Sequence, residues 1–151
     1  LSLTHGQVKS KQLIYTAHFN PARVAQFTRL IHPQNKTVQL EHQIFEVNNG
    51  LECLVVDIDN ELVGYTTFMK QYSTWDASYY VYMDCLFLQQ DFRGSGIGKL
   101  LMSEVRKYAE QNNCRQIQWQ TPDINMGAIK FYKRLKSIEW IHKVRFSWTP
   151  W

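Results

Sequence analysis

The stretch Arg93-Gly94-Ser95-Gly96-Ile97-Gly98-Lys99 places three of the chain's seven glycines within five residues, between an apolar run ending at Leu88 and an amphipathic run starting at Ile97. A helix that begins there leaves its first backbone N–H groups without intrahelical partners and carries the positive end of its dipole. Glycines let a phosphate reach those groups without meeting a Cβ. The chemistry this spacing suits is the gripping of a diphosphate. Three phosphate-binding patterns compete for it. G-x-x-x-x-G-K-[ST], aligned on Gly98-Lys99, meets Arg93 where its first Gly belongs and Leu100 where its hydroxyl belongs. G-x-G-x-x-G, aligned on Gly94 and Gly96, meets Lys99 at its last Gly, and it belongs near the start of a doubly wound domain, whereas this turn lies two-thirds along. The pattern [QR]-x-x-G-x-[GA] is matched in full by Arg93 to Gly98.

Other reactive side chains are sparse. Asp84 sits within the apolar run Tyr79 to Leu88, where an unpaired carboxylate would be costly to bury. Cys53, Cys85 and Cys114 are odd in number and far apart, without C-x-x-C or a histidine at ligand spacing, and the five histidines are scattered. A disulfide framework and a metal site are both disfavoured. Cys85 reads as a small buried hydrophobe rather than a nucleophile. The net charge of +4 lies wholly after residue 60, and Lys130, Lys133, Arg134, Lys136, Lys143 and Arg145 face only Glu139 within their stretch. Such an excess suits a phosphate-bearing partner or, for any one cation, a solvated helix face.

The elements that must position these residues follow from periodicity. A strand is predicted over 12–18 and a helix from Asn20-Pro21 to about Ile31, with Asn as cap and Pro at the first helical position. A second helix is predicted over Thr37 to Asn48, stopped by Asn49-Gly50. Leu51 to Ile58 and Leu62 to Lys70 read as a hairpin around Asp59-Asn60-Glu61, and 79–88 as the strand entering the glycine turn. Ile97, Leu100, Leu101, Val105, Tyr108 and Ala109 form one helical stripe packed on a sheet. Gln116 to Gln120 reads as a strand, Asn125 to Leu135 as a short helix, and Ile138 through Trp148 as one or two closing strands. The order is mixed α and β, with a right-handed parallel β-helix-β crossover.

At 151 residues, 44% hydrophobic and 14% aromatic, the chain is long enough for one core and too short for two, so a single domain over 1–151 is expected. No apolar run approaches a membrane span, and the polar start lacks the order of a secretory signal. A soluble, cytoplasmic protein with reduced thiols is expected. The first residue is Leu, so the natural start is expected to lie outside this sequence.

Three blocks, Val81-Tyr-Met-Asp-Cys-Leu-Phe-Leu88, Arg93-Gly-Ser-Gly-Ile-Gly98 and Asn125-Met-Gly-Ala-Ile-Lys-Phe-Tyr-Lys-Arg-Leu135, together with Val63-Gly64-Tyr65, resemble the acyl-coenzyme-A-binding core of the GNAT superfamily of N-acetyltransferases, in its polyamine-acetyltransferase-like branch. The resemblance covers about residues 50–148. It implies an α/β fold with a central mixed, mostly antiparallel sheet, splayed between the fourth and fifth strands and flanked by about four helices. It implies that the backbone N–H groups of Arg93, Gly94, Ser95, Gly96, Ile97, Gly98 and Lys99 bind the pyrophosphate of acetyl-CoA, a cosubstrate, with no metal. Leu86, Phe87 and Leu88 would pair with the pantetheine arm, and Asn125 would hydrogen-bond it or cap its own helix. Asp84 would be the base, through water because it is a methylene shorter than the family's glutamate, or a structural carboxylate paired with a neighbouring Lys, Tyr or backbone group. Tyr132 would be both a coenzyme contact and the acid that protonates the departing thiolate. The implied reaction is acetyl transfer to the primary amine of a small cationic acceptor, polyamine-like or aminoglycoside-like, in a ternary complex, by a homodimer that engages neither nucleic acid nor membrane. Two other readings stand beside it: acetylation of a peptide lysine or N-terminus, and a basic nucleic-acid-binding module without catalysis.

Overall fold

The computed structural model describes residues 12–16, 23, 26, 27, 29, 30, 37–45 and 49–151. In chain order the elements are β1 (Gln12–Thr16), α1 (Thr37–Phe45), β2 (Leu51–Ile58), β3 (Glu61–Ser73), β4 (Ser78–Leu88), a single 3-10 turn (Gln90–Phe92), α2 (Ile97–Gln111), β5 (Ile117–Gln118) and α3 (Met126–Lys133). Residues 23, 26, 27, 29 and 30 are helical, where the sequence predicts the first helix; its ends, like the last turn of the helix predicted to reach Asn48, lie outside the described residues.

The five strands form one sheet in the order β1-β2-β3-β4-β5. Pairing is antiparallel from β1 to β4 and parallel between β4 and β5, which is the crossover expected across α2. Strand-forming residues alternate between two faces, and each face buries its own cluster. On one, Cys53, Val55, Leu62 and Tyr65 pack around Phe27, with Leu30, Ile44, Phe45, Cys85 and Phe87 at its margin. On the other, Val56, Val63 and Leu88 meet Ile97 and Leu101 of α2, and Phe68 lies 4.9 Å, ring to ring, from Tyr108. Arg23 pairs with the buried carboxylate of Asp57, whose second oxygen accepts from the Asn60 N–H at 2.9 Å, so the first helix is tied to the β2–β3 turn.

The chain divides into two compact units, 1–119 and 120–151. The first holds the sheet. The second holds α3 and the segment that follows it. Two predicted elements are corrected. The strand expected over 116–120 is only two residues long, because just Ile117 and Gln118 find a ladder on β4. Ile138 through Trp148 forms no strand: no segment among the described residues pairs with it, and a strand without a ladder has nothing to hold its backbone groups.

Candidate functional site

Gly64 controls how closely β3 approaches the end of β4. A Cβ at that position would stand 2.4 Å from Leu88 Cδ2 and 2.7 Å from the Phe87 carbonyl, so only glycine lets the strands close there. The Gln89 N–H donates to the Val63 carbonyl at 2.9 Å, which fixes the direction of the backbone groups before it. By strand alternation the groups of Phe87 face β3, while those of Leu86 and Leu88 face the opposite edge. On that edge β4 pairs with β5 only at Val81 and Tyr82; from Met83 to Leu88 no strand lies against it among the described residues. The splay expected between the fourth and fifth strands therefore begins near Met83. Of the three residues assigned to a pantetheine arm, Leu86 and Leu88 present main-chain groups to the splay and Phe87 does not.

Beyond Leu88 the chain folds into a tight junction. The Phe92 N–H donates to the Gln89 carbonyl and the Arg93 N–H to the Gln90 carbonyl, both at 3.1 Å, and the Ser95 hydroxyl donates to the Phe92 carbonyl at 2.6 Å. Gly94 and Gly96 hold φ of 76° and 89°, left-handed values that cost a residue with a side chain about 1–2 kcal/mol. Gly96 is the N-cap of α2, and the first helical bond is the Leu100 N–H to the Gly96 carbonyl at 3.1 Å. The N–H groups of Gly94, Ser95, Gly96, Ile97, Gly98 and Lys99 consequently have no hydrogen-bond acceptor among the described residues. Open space surrounds a Cβ position at Gly94 and Gly96, so an anion can reach this row. The N–H of Arg93 is spent on Gln90 and does not belong to it. Its side chain instead donates from Nε to the Leu88 carbonyl at 2.9 Å, bracing the end of β4 against the turn.

Asp84 occupies a bulge. Thr67 pairs with Cys85 and Phe68 with Met83, which leaves Asp84 as the additional residue of β4. It is exposed, so the desolvation cost expected from its apolar neighbours does not arise. Next to it the Cys85 thiol donates to the Tyr65 hydroxyl at 3.4 Å, and the Thr66 hydroxyl donates to the Cys85 carbonyl at 2.8 Å. Burial raises the Tyr65 phenol well above its usual range, helped by its bond with Cys85; burial likewise raises the Cys85 thiol, with Asp84 adding to it against the lowering by Tyr65. Cys53 is pushed up to about 12, first by burial and then by Cys85 and Glu52. All three groups stay neutral at pH 7, and a thiol held neutral is a poor nucleophile. The Tyr65–Cys85 pair escaped the sequence reading; it becomes visible only through the register that sets Tyr65 two residues from the partner of Cys85.

In the second unit, the Asn125 side chain caps α3 by accepting from the Ala128 N–H at 3.2 Å. Tyr132 lies two turns further on the same helix, half-buried, its ring 5.1 Å from Phe131. Lys133 rests over the Trp140 ring at 4.0 Å and Arg134 is exposed. Leu86, Leu88, Asp84 and the amide row thus share the first unit, and Asn125 and Tyr132 share one helix of the second.

Residues 17–136 match the acetyltransferase (GNAT) family. The thialysine N-epsilon-acetyltransferase of Mus musculus is 29% identical over 121 residues, which is 74% of this chain and 71% of that protein. The L-ornithine N5-acetyltransferase NATA1 of Arabidopsis thaliana is 30% identical over 77 residues, 51% of this chain but only 34% of that protein. Among solved structures, an aminoglycoside N-acetyltransferase AAC(6')-Iy in complex with CoA superposes with a TM-score of 0.80 at 19% identity, covering 97% of this chain and 99% of that one. The fold is therefore the one expected from the sequence.

Proposed function

The chain belongs to the acetyltransferase (GNAT) family, and from that premise we propose that it transfers an acetyl group from acetyl-CoA to the primary amine of a small cationic acceptor, both units acting as one domain. The observation that carries the reading is the row of six unpartnered amides from Gly94 to Lys99 at the start of α2, a fixed positive surface of diphosphate length. The outward groups of Leu86 and the Leu88 N–H would then register an extended amide-bearing arm along the splay, as a missing strand would. The Leu86 N–H is the donor placed to meet the thioester oxygen as negative charge develops on it.

An alkylamine with a pKa of about 10 arrives protonated at pH 7 and attacks only after losing a proton. Asp84, exposed on the bulge beside the splay, accepts that proton through water. Tyr132 returns a proton to the leaving thiolate. The neutral Cys85 supports direct attack over an acyl-enzyme. The acceptor class rests on relatives named for thialysine, ornithine and aminoglycosides, which share a primary amine on a cationic small molecule. A cytoplasmic homodimer completes the proposal.

Calorimetric titration with coenzyme A tests the amide row, and release of free thiol from acetyl-CoA across a panel of polyamines, thialysine, ornithine and aminoglycosides tests the transfer. Binding plus thiol release with at least one amine is expected. No heat with coenzyme A overturns the reading. Tyr132→Phe is expected to lower kcat about 10²-fold or more while leaving coenzyme affinity within a factor of about two; an unchanged kcat removes Tyr132 as the acid.

A further inference from the structure

Thr66 is 0% exposed, a hydroxyl set in a core where valine of nearly the same shape would bring no polar atom to satisfy. It stands on β3 opposite Leu86, and its hydroxyl donates to the Cys85 carbonyl at 2.8 Å. Thr67 is the ladder partner of Cys85, so this carbonyl, with its two lone pairs, takes a side-chain donor in addition to its place in the sheet. What distinguishes that acceptor is the other end of its peptide.

The carbonyl of Cys85 and the N–H of Leu86 belong to one planar unit, and no peptide among the described residues is cis. In a trans unit the two groups point in opposite directions. The carbonyl turns toward β3 and the N–H toward the edge of β4 that no strand covers, among the described residues, from Met83 to Leu88. That N–H is the proposed donor to the thioester oxygen. A hydrogen bond accepted at the carbonyl draws charge from the nitrogen through amide resonance, which strengthens the N–H as a donor and holds the plane at one tilt.

We propose that Thr66 is a positioning residue for the acetyl transfer: its hydroxyl polarises and orients the Cys85–Leu86 peptide, whose N–H meets the developing oxyanion. The inference rests on the acetyltransferase reading and names a further residue for it. Linked hydrogen bonds strengthen one another by roughly 10–30%, and one oxyanion donor is worth about 10²–10³ in kcat, so Thr66 contributes about two- to eightfold. Fully buried, it meets neither coenzyme nor amine itself. Coenzyme affinity and the proton transfers assigned to Asp84 and Tyr132 are therefore independent of it.

Thr66→Val, which keeps the shape and removes the donor, is expected to lower kcat about two- to eightfold while coenzyme A affinity and the pH profile stay unchanged. Thr66→Ser, which keeps the donor, should recover most of that loss. The infrared stretch of the bound thioester carbonyl, isolated with carbon-13-labelled acetyl-CoA, should lie lower in the natural chain than in Thr66→Val. An unchanged kcat in Thr66→Val, a kcat that falls only in step with coenzyme affinity, an unmoved stretch, or a loss that Thr66→Ser does not recover overturns the proposal. NMR on the unmodified chain decides even if Thr66→Val does not fold. The Thr66 hydroxyl proton should exchange slowly enough to be observed, and the Leu86 amide proton should move downfield when acetyl-CoA binds. A hydroxyl proton lost to fast exchange overturns this inference alone and leaves the transfer standing. A Leu86 amide that does not move removes its oxyanion role, and absent thiol release with every amine removes the transfer; either takes this inference with it.

Discussion

The two units of the chain differ in where their order comes from. In residues 1–119 a sheet, a helix face and a glycine turn support one another, and every fully buried hydrophobic side chain among the described residues, from Phe27 to Ala109, lies there. In residues 120–151 helix α3 buries no residue fully, and of the apolar groups after it Leu135 and Ile138 are half-buried while those from Trp140 onward are exposed. The amide row is therefore built from contacts already made, since backbone hydrogen bonds, two left-handed glycines and the Arg93 brace hold it without a ligand. The second unit holds Tyr132, the proposed proton donor, on a helix of eight residues capped by Asn125, a length that is marginal by itself in water. The lesson is that the row suited to binding is held by contacts already made within its own unit, whereas Tyr132 stands on a short helix that buries no residue fully.

Substitutions that sharpen this contrast follow in order of size. Phe68→Ala empties a site about 1% exposed and is expected to cost about 3–5 kcal/mol in urea unfolding, whereas Phe146→Ala in dilute solution should stay within about 0.5 kcal/mol. Equal costs would erase the distinction between the units. Gly96→Ala forces a side chain onto φ of 89° and should cost about 1–2 kcal/mol, felt as roughly tenfold weaker coenzyme A binding by calorimetry as the turn relaxes. Unchanged affinity would mean that the turn is not the binding element.

A pH dependence is expected in the first unit as well. The Cys53 thiol is raised from 9.0 to about 12 by folding, so the unfolded chain ionises first as pH rises. Its contribution is complete below pH 9 and is lost between pH 9 and about 12, with the raised Tyr65 phenol acting in the same sense from its unfolded value upward. Urea midpoints measured across that range should fall more steeply for the natural chain than for Cys53→Ala. Parallel slopes would contradict the burial that raises the thiol.

Most of the sheet was legible because β2, β3 and β4 carry the periodicity of their burial in their residue types, and the turn was legible because glycine spacing at a strand–helix junction has few other uses. What escaped the sequence was relational. The Arg93 brace joins residues five apart through a side chain, the Tyr65–Cys85 bond needs a register, and the exposure of Asp84 needs a bulge that no local pattern announces. The closing strands expected over 138–148 find no ladder among the described residues; propensity prepares a strand but cannot supply its neighbour.

That bulge has one more implication. Thr67 opposite Cys85 and Phe68 opposite Met83 are consecutive on β3, so excising residue 84 would leave every rung between the two strands in place. The architecture makes no demand on what stands there. Position 84 is thus a point at which descendants of this chain can trade one side chain for another, or dispense with it, while threading the same sheet.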